Sequence, residues 1–128
     1  MAALKRGEKV GLIRVPVSIK AFGTPQDPYD ALFLIDTGAI DSMAPSNELH
    51  RAGIEPVGKD TYELADGSHQ EYAFGLAQIE FMGEVTAGRV IFGPDDVQPL
   101  LGVTALESTG VAIDPTTQTL KKIPALRL

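Results

Sequence analysis

From Ile13 onward, apolar and polar residues alternate. Ile13, Val15, Val17, Ile19 and Ala21 fall on one side, and Arg14, Pro16, Ser18 and Lys20 on the other. A period of two predicts a half-buried strand, and Pro16, which has no N–H to give a ladder, places part of that strand at a sheet edge. Phe22 to Asp30, with Gly23, Pro25 and Pro28, is a loop. The run Ala31-Leu32-Phe33-Leu34-Ile35 is continuously apolar and short, as in a strand covered on both faces, and it stops at Asp36-Thr37-Gly38. Pro45 to Ala52 predicts a two-turn helix, with Pro45 suited to its first position and Gly53 to its left-handed cap.

The second half of the chain is punctuated in the same way. Lys59 to Leu64 and His69 to Phe74 flank Ala65-Asp66-Gly67-Ser68, and Asp-Gly between strand-like segments is a strong hairpin signal. Gln78 to Phe81 and Val85 to Phe92 form a second hairpin around Met82-Gly83-Glu84, and Gly93 to Asp96 is another turn. Leu100-Leu101-Gly102 leads into a short helix, Val103 to Ser108, closed by Gly110. Val111 to Ile113 and Thr119 to Ile123 then frame a last hairpin at Asp114-Pro115-Thr116-Thr117. The expected fold is all-β, with one or two short helices.

Composition narrows the function. At 128 residues, with 44% hydrophobic and 22% charged residues, the chain is the size of one globular domain. Thirteen glycines and nine prolines, spread between apolar runs, favour many short strands over a helix bundle. The net charge of −6 and the absence of a basic stripe beyond Lys5-Arg6 and Lys121-Lys122 argue against a nucleic-acid partner. There is no cysteine, hence no disulfide, thiolate nucleophile or cysteine–zinc site. Residues 1–8 lack the apolar core of a signal peptide, and no run reaches the ~20 apolar residues of a membrane helix. The expectation is a soluble cytoplasmic protein with no membrane partner and no cofactor.

Several residues invite a chemical reading and do not sustain it. Gly53 to Lys59 approximates a phosphate-binding loop, but Asp60 replaces the Ser or Thr, and the segment follows a helix instead of a strand. Ser42 and His50 lack the glycine frame of a nucleophile elbow. His50 and His69 read as surface residues, Asp27 and Asp30 as loop acids, and Asp95-Asp96 as a solvated turn. Asp36 is different. A buried strand delivers it into a Thr-Gly turn, where a carboxylate is costly unless hydrogen-bonded or paired. Asp-Thr-Gly arises by chance in roughly a few per cent of chains this size, so its context must decide.

That context is an ordered set of motifs: Asp36-Thr37-Gly38-Ala39 after an apolar strand, Leu64-Ala65-Asp66-Gly67 in a hairpin, then Leu100-Leu101-Gly102 before a helix. It resembles the retropepsin-like aspartic peptidases, most of all the single-domain bacterial and cellular ones, over about Val10 to Ile123. The resemblance implies a closed β-barrel or sandwich with a flap hairpin, making up one domain over residues 1–128. It implies Asp36 as the catalytic carboxylate, supported by Thr37 and Gly38. Gly38, Ala39, Asp41 and the flap residues Ala65, Asp66, Gly67 and Ser68 would bind substrate, with Leu100, Leu101 and Gly102 packed behind the catalytic loop.

With one Asp-Thr-Gly per chain, the second carboxylate would come from another copy across a two-fold axis, so the expected partners are a second identical chain and a polypeptide substrate. The chain departs from the viral pattern at Ile40 and Val103, where viral enzymes commonly carry an acid and a base that form an ion pair. Two apolar residues here point to a coordinated replacement. The competing readings are a non-catalytic peptide-binding or dimerisation module on the same fold, and a structural β domain in which Asp36 merely begins a turn.

Overall fold

The computed structural model describes residues 13–128. The expected start of the core at Val10 and the Lys5-Arg6 pair lie outside the described residues. Nine strands and two short helices follow in the order β1 (Arg14–Lys20), β2 (Tyr29–Asp36), β3 (Ser42–Pro45), α1 (Ser46–Arg51), β4 (Gly58–Glu63), β5 (His69–Phe81), β6 (Glu84–Gly93), β7 (Leu100–Gly102), α2 (Val103–Thr109), β8 (Val111–Asp114) and β9 (Thr119–Lys122).

Seven strands form one sheet in the order β1-β2-β7-β3-β6-β5-β4, and β1 also pairs with β5, through Ser18 to Lys20. That extra pairing closes the sheet into a ring, with β4 attached outside it on β5. Closure buries inward residues of the ring strands in one core: Val15, Val17 and Ile19 of β1, Phe33 and Ile35 of β2, Ala44 of β3, Ala77, Ile79 and Phe81 of β5, Val90 and Phe92 of β6, and Leu101 of β7. Pro16 lies opposite Leu32 in the part of β1 that pairs with β2 alone, so its missing N–H faces no strand.

Two features of the sequence pattern resolve differently. The helix begins one residue later than its pattern suggests, with Pro45 as the cap residue at the end of β3. Its first turn is closed from another part of the chain: the Asn47 N–H donates to Asp95 Oδ1 at 2.9 Å, and the Ser46 hydroxyl to the Gly93 carbonyl at 2.7 Å. Asp95 thus acts as a remote helix cap as well as a turn residue. The two strand segments His69–Phe74 and Gln78–Phe81 are one 13-residue strand, β5, running straight through Gly75. A Cβ at Gly75 would stand 2.8 Å from the Glu55 carbonyl and from Ile54, so this glycine marks a close crossing of chains instead of a break.

β6 pairs only with the second part of β5, from Phe74 to Phe81. Residues 69–73 of β5 pair with β4 alone, so the outer part of the β4–β5 hairpin has no other strand beside it. Arg89 of β6 reaches onto it: its guanidinium donates to Asp60 Oδ2 at 3.1 Å and lies 3.8 Å over the Phe74 ring. The hydrogen bond from Arg89, then that from the Thr61 N–H, holds the Asp60 carboxyl below its ordinary value of 3.8. A depressed carboxylate contributes stability above 3.8 and loses it as the pH falls through the lower, folded value.

Two outcomes follow from this architecture. Replacing Arg89 by Gln should raise the Asp60 titration midpoint, read by carboxyl-carbon NMR, part of the way back, because the Thr61 N–H remains. Gly102→Ala should destabilise the domain by about 3 kcal/mol, the upper end for overpacking, as measured by urea unfolding. A Cβ there would lie 2.6–2.7 Å from the main chain of Ile40 and Asp41, and a main chain cannot swing aside as a side chain can.

Candidate active site

β2 alternates between half-buried and exposed positions over its first half and is wholly buried from Phe33 to Asp36. It therefore carries Asp36 to the end of an apolar wall, leaving the residue only 2% exposed. β7 runs parallel beside it, with Leu34, Ile35 and Asp36 in register with Leu100, Leu101 and Gly102. Leu101 is fully buried.

Beyond Asp36 the chain turns at once. The Gly38 N–H donates to Asp36 Oδ1 at 3.1 Å, and the Ala39 N–H to the Asp36 carbonyl at 3.1 Å. No buried side-chain oxygen among the described residues lacks a partner, so Oδ2 meets the surface and not the core. The turn thus holds a carboxylate in a nearly dry wall with one oxygen tied to the main chain and the other presented outward. Thr37 and Gly38 are exposed and Ala39 is half-buried.

The loop after the turn is bound to the start of α2. The Val103 N–H donates to the Ala39 carbonyl at 2.8 Å, and the Thr104 hydroxyl to the Ile40 carbonyl at 2.8 Å. Ile40 itself is 67% exposed, so its side chain is not sealed within the chain as an internal apolar replacement would be.

Ser42 is a contributor that the sequence reading set aside. It is buried, and its hydroxyl oxygen accepts the Gly102 N–H at 3.0 Å. The bond fastens β7, and with it the residue paired to Asp36, to the first residue of β3. A lone serine in an irregular stretch carries no sequence signal for such a role. His50 and His69, by contrast, are exposed, 3.6 Å from Glu55 and Glu63 respectively.

Ala65, Asp66, Gly67 and Ser68 form the exposed turn of the β4–β5 hairpin. Asp66 Oδ1 accepts from both the N–H and the hydroxyl of Ser68, at 2.9 and 2.6 Å, which lowers the Asp66 pKa. The hairpin touches the loop after Asp36 through one hydrogen bond: the Tyr62 hydroxyl donates to Asp41 Oδ2 at 3.0 Å. Burial first, and then that bond, pushes the Tyr62 phenol above its ordinary value, so the group stays a donor. Asp41 and the hairpin are therefore brought together, on the side of the loop away from the core. Among the described residues no three His, Asp or Glu side chains converge as metal ligands would, and no helix is long and apolar enough to cross a membrane.

No family model matches the chain, and no curated protein sequence is significantly similar to it. Solved structures are similar in shape. The crystal structure of the retroviral protease-like domain of Ddi1 from Leishmania major aligns over 91% of this chain and 92% of its own, at 17% identity and a TM-score of 0.58. The EIAV protease complexed with the inhibitor HBY-793 aligns over 84% and 95%, at 19% identity and a TM-score of 0.52. The solution structure of the protease of simian foamy virus (mac) aligns over 73% and 91%, at 17% identity and a TM-score of 0.51. The chain has the retropepsin-like aspartic peptidase fold.

Proposed function

We propose that the protein is an aspartic endopeptidase that works as a homodimer, with Asp36 of each copy forming the catalytic pair. The observation that carries this reading is the Asp36 carboxylate: 2% exposed, held among the described residues by a single side-chain hydrogen bond, from the Gly38 N–H, and set in an Asp-Thr-Gly turn of a retropepsin-like sheet. Buried side-chain polar atoms ordinarily have a hydrogen-bond partner, and among the described residues only one of the two Asp36 oxygens is given one. The carboxylate keeps the other oxygen for something outside the chain.

The surroundings support a second copy as that something. Thr37 is exposed beside the acid, and Ile40, a large apolar residue, stands open four positions on. Two carboxylates brought face to face cannot both ionise, so the pair shares one proton, as in aspartic proteases generally. The ionised Asp36 takes a proton from a water as its oxygen bonds to the scissile carbonyl carbon. The protonated Asp36 gives its proton to the carbonyl oxygen. Collapse of the tetrahedral intermediate breaks the C–N bond. The proton taken from water passes to the leaving nitrogen, and the diol returns the other, so the pair ends with the one proton it began with. The β4–β5 hairpin serves as the flap, and an extended polypeptide lies as an added strand between Ala65–Ser68 and the Gly38–Asp41 loop.

Purified protein should cleave a mixed peptide library, and Asp36→Asn should lower kcat/KM by about 10²–10⁴-fold, the usual contribution of one acid–base group, with fold and dimer kept by circular dichroism and sedimentation. Peptide binding without turnover from a well-folded dimer would instead identify a non-catalytic peptide-binding module. Because the pair works only with one proton, kcat/KM should trace a bell with its maximum at acidic to mildly acidic pH; a maximum above neutrality would contradict a shared-proton pair.

A further inference from the structure

The outer part of the hairpin is tied by main-chain hydrogen bonds only to itself, so side chains must set its height over the loop that follows Asp36. Among the described residues two linked contacts do so, and Arg89 interacts with both Asp60 and the Tyr62 hydroxyl. One is the Asp60–Arg89 pair, in which both groups are exposed. The other is the Tyr62 hydroxyl on Asp41 Oδ2, in a half-buried setting.

The two are not equal. Exposed ion pairs contribute little, because solvent screens them and two long side chains must be ordered to make them. A phenol donating to a carboxylate in a half-buried setting is a charge-assisted bond, less screened than the exposed ion pair yet still open to exchange with water. Its anchor is also stiffer. Asp41 directly precedes Ser42, whose hydroxyl is bonded to Gly102, the residue in register with Asp36. The Tyr62 ring is steadied in turn by Tyr72 of the same hairpin, with ring centroids 6.2 Å apart.

We propose that Tyr62 is a positioning residue, a latch whose hydroxyl on Asp41 fixes the closed height of the β4–β5 hairpin over the Asp36 turn and which must release for a polypeptide to enter. The proposal deepens the peptidase reading and rests on it for its kinetic consequence. Its structural consequence stands apart. Releasing the latch lets the hairpin lift as a unit while the core below stays intact.

The test is Tyr62→Phe, which removes one oxygen and keeps the ring against Tyr72. Amide hydrogen exchange across residues 58–73 should quicken roughly tenfold, the effect of losing one hydrogen bond to a charged group, with β1 and β2 unchanged. Asp41→Ala should quicken it as much, and the double variant no further, since both remove the same bond. Asp41→Asn keeps an acceptor oxygen without the charge and should fall between the wild type and Asp41→Ala. With a cleaved peptide, Tyr62→Phe should lower KM by up to roughly tenfold, because less of the binding energy goes into releasing the latch, and leave kcat within about threefold, whereas a loss of folded enzyme would lower kcat at constant KM.

Unchanged exchange in Tyr62→Phe, or full additivity with Asp41→Ala, would overturn the latch even in an active peptidase. Wild-type protein without turnover would overturn the peptidase reading alone, because exchange decides the latch without catalysis.

Discussion

Where Gly102 passes behind Asp41, two stretches of main chain approach so closely that a methyl group would stand 2.6 Å from a backbone carbon. The ring of strands depends on that crossing. β7 is only three residues long, yet it joins β2 on one side to β3 on the other, and β3 in turn runs parallel to β6. A side chain there would press on the Ile40–Asp41 main chain and strain the junction beside Asp36. The Ser42 hydroxyl completes the junction by accepting the Gly102 N–H in a buried setting. Placing the acid is thus a consequence of closing the sheet.

That geometry explains how a carboxylate tolerates so dry a position. Burying an isolated charge costs far more than one hydrogen bond returns. The Asp36 side chain is not isolated in the full sense, because the turn gives Oδ1 an N–H and leaves Oδ2 at the surface. The arrangement is incomplete for a structural acid and well suited to one that shares its proton with a neighbour. The same incompleteness appears at Ile40, an apolar side chain left in the open beside a buried charge. A second copy would cover the one and pair the other.

How much of this could be read in advance depended on the range of the interaction. The alternation in β1, the apolar run of β2 and the Asp-Gly and Met-Gly turns are local signals, and each appears in the structure at or near its place. β3 gave none, being four residues of mixed character ending in proline. β5 looked like two strands because Gly75 resembles punctuation when read along the chain, while its reason lies across the chain, at Glu55. Asp36 stood out because its conflict is local: an acid at the end of an apolar run. Ser42, Asp95 and the Tyr62–Asp41 bond join residues 60, 48 and 21 positions apart, and nothing near any of them foretells its partner.

The contrast between the two polar contacts at the site is also one of mobility. The Ser42–Gly102 bond is buried, and breaking it would strand a donor in the core, so it remains closed throughout. The Tyr62–Asp41 bond lies where water can replace either partner. An apolar contact of similar strength would expose hydrophobic surface on opening. A hydroxyl on a carboxylate exposes only groups that water solvates well, so the hairpin can lift without a sticky underside. In the proposed peptidase the floor of the site would therefore rest on a bond that is costly to open and the hairpin above it on one that is cheap, the division needed to hold an acid still and yet admit a chain.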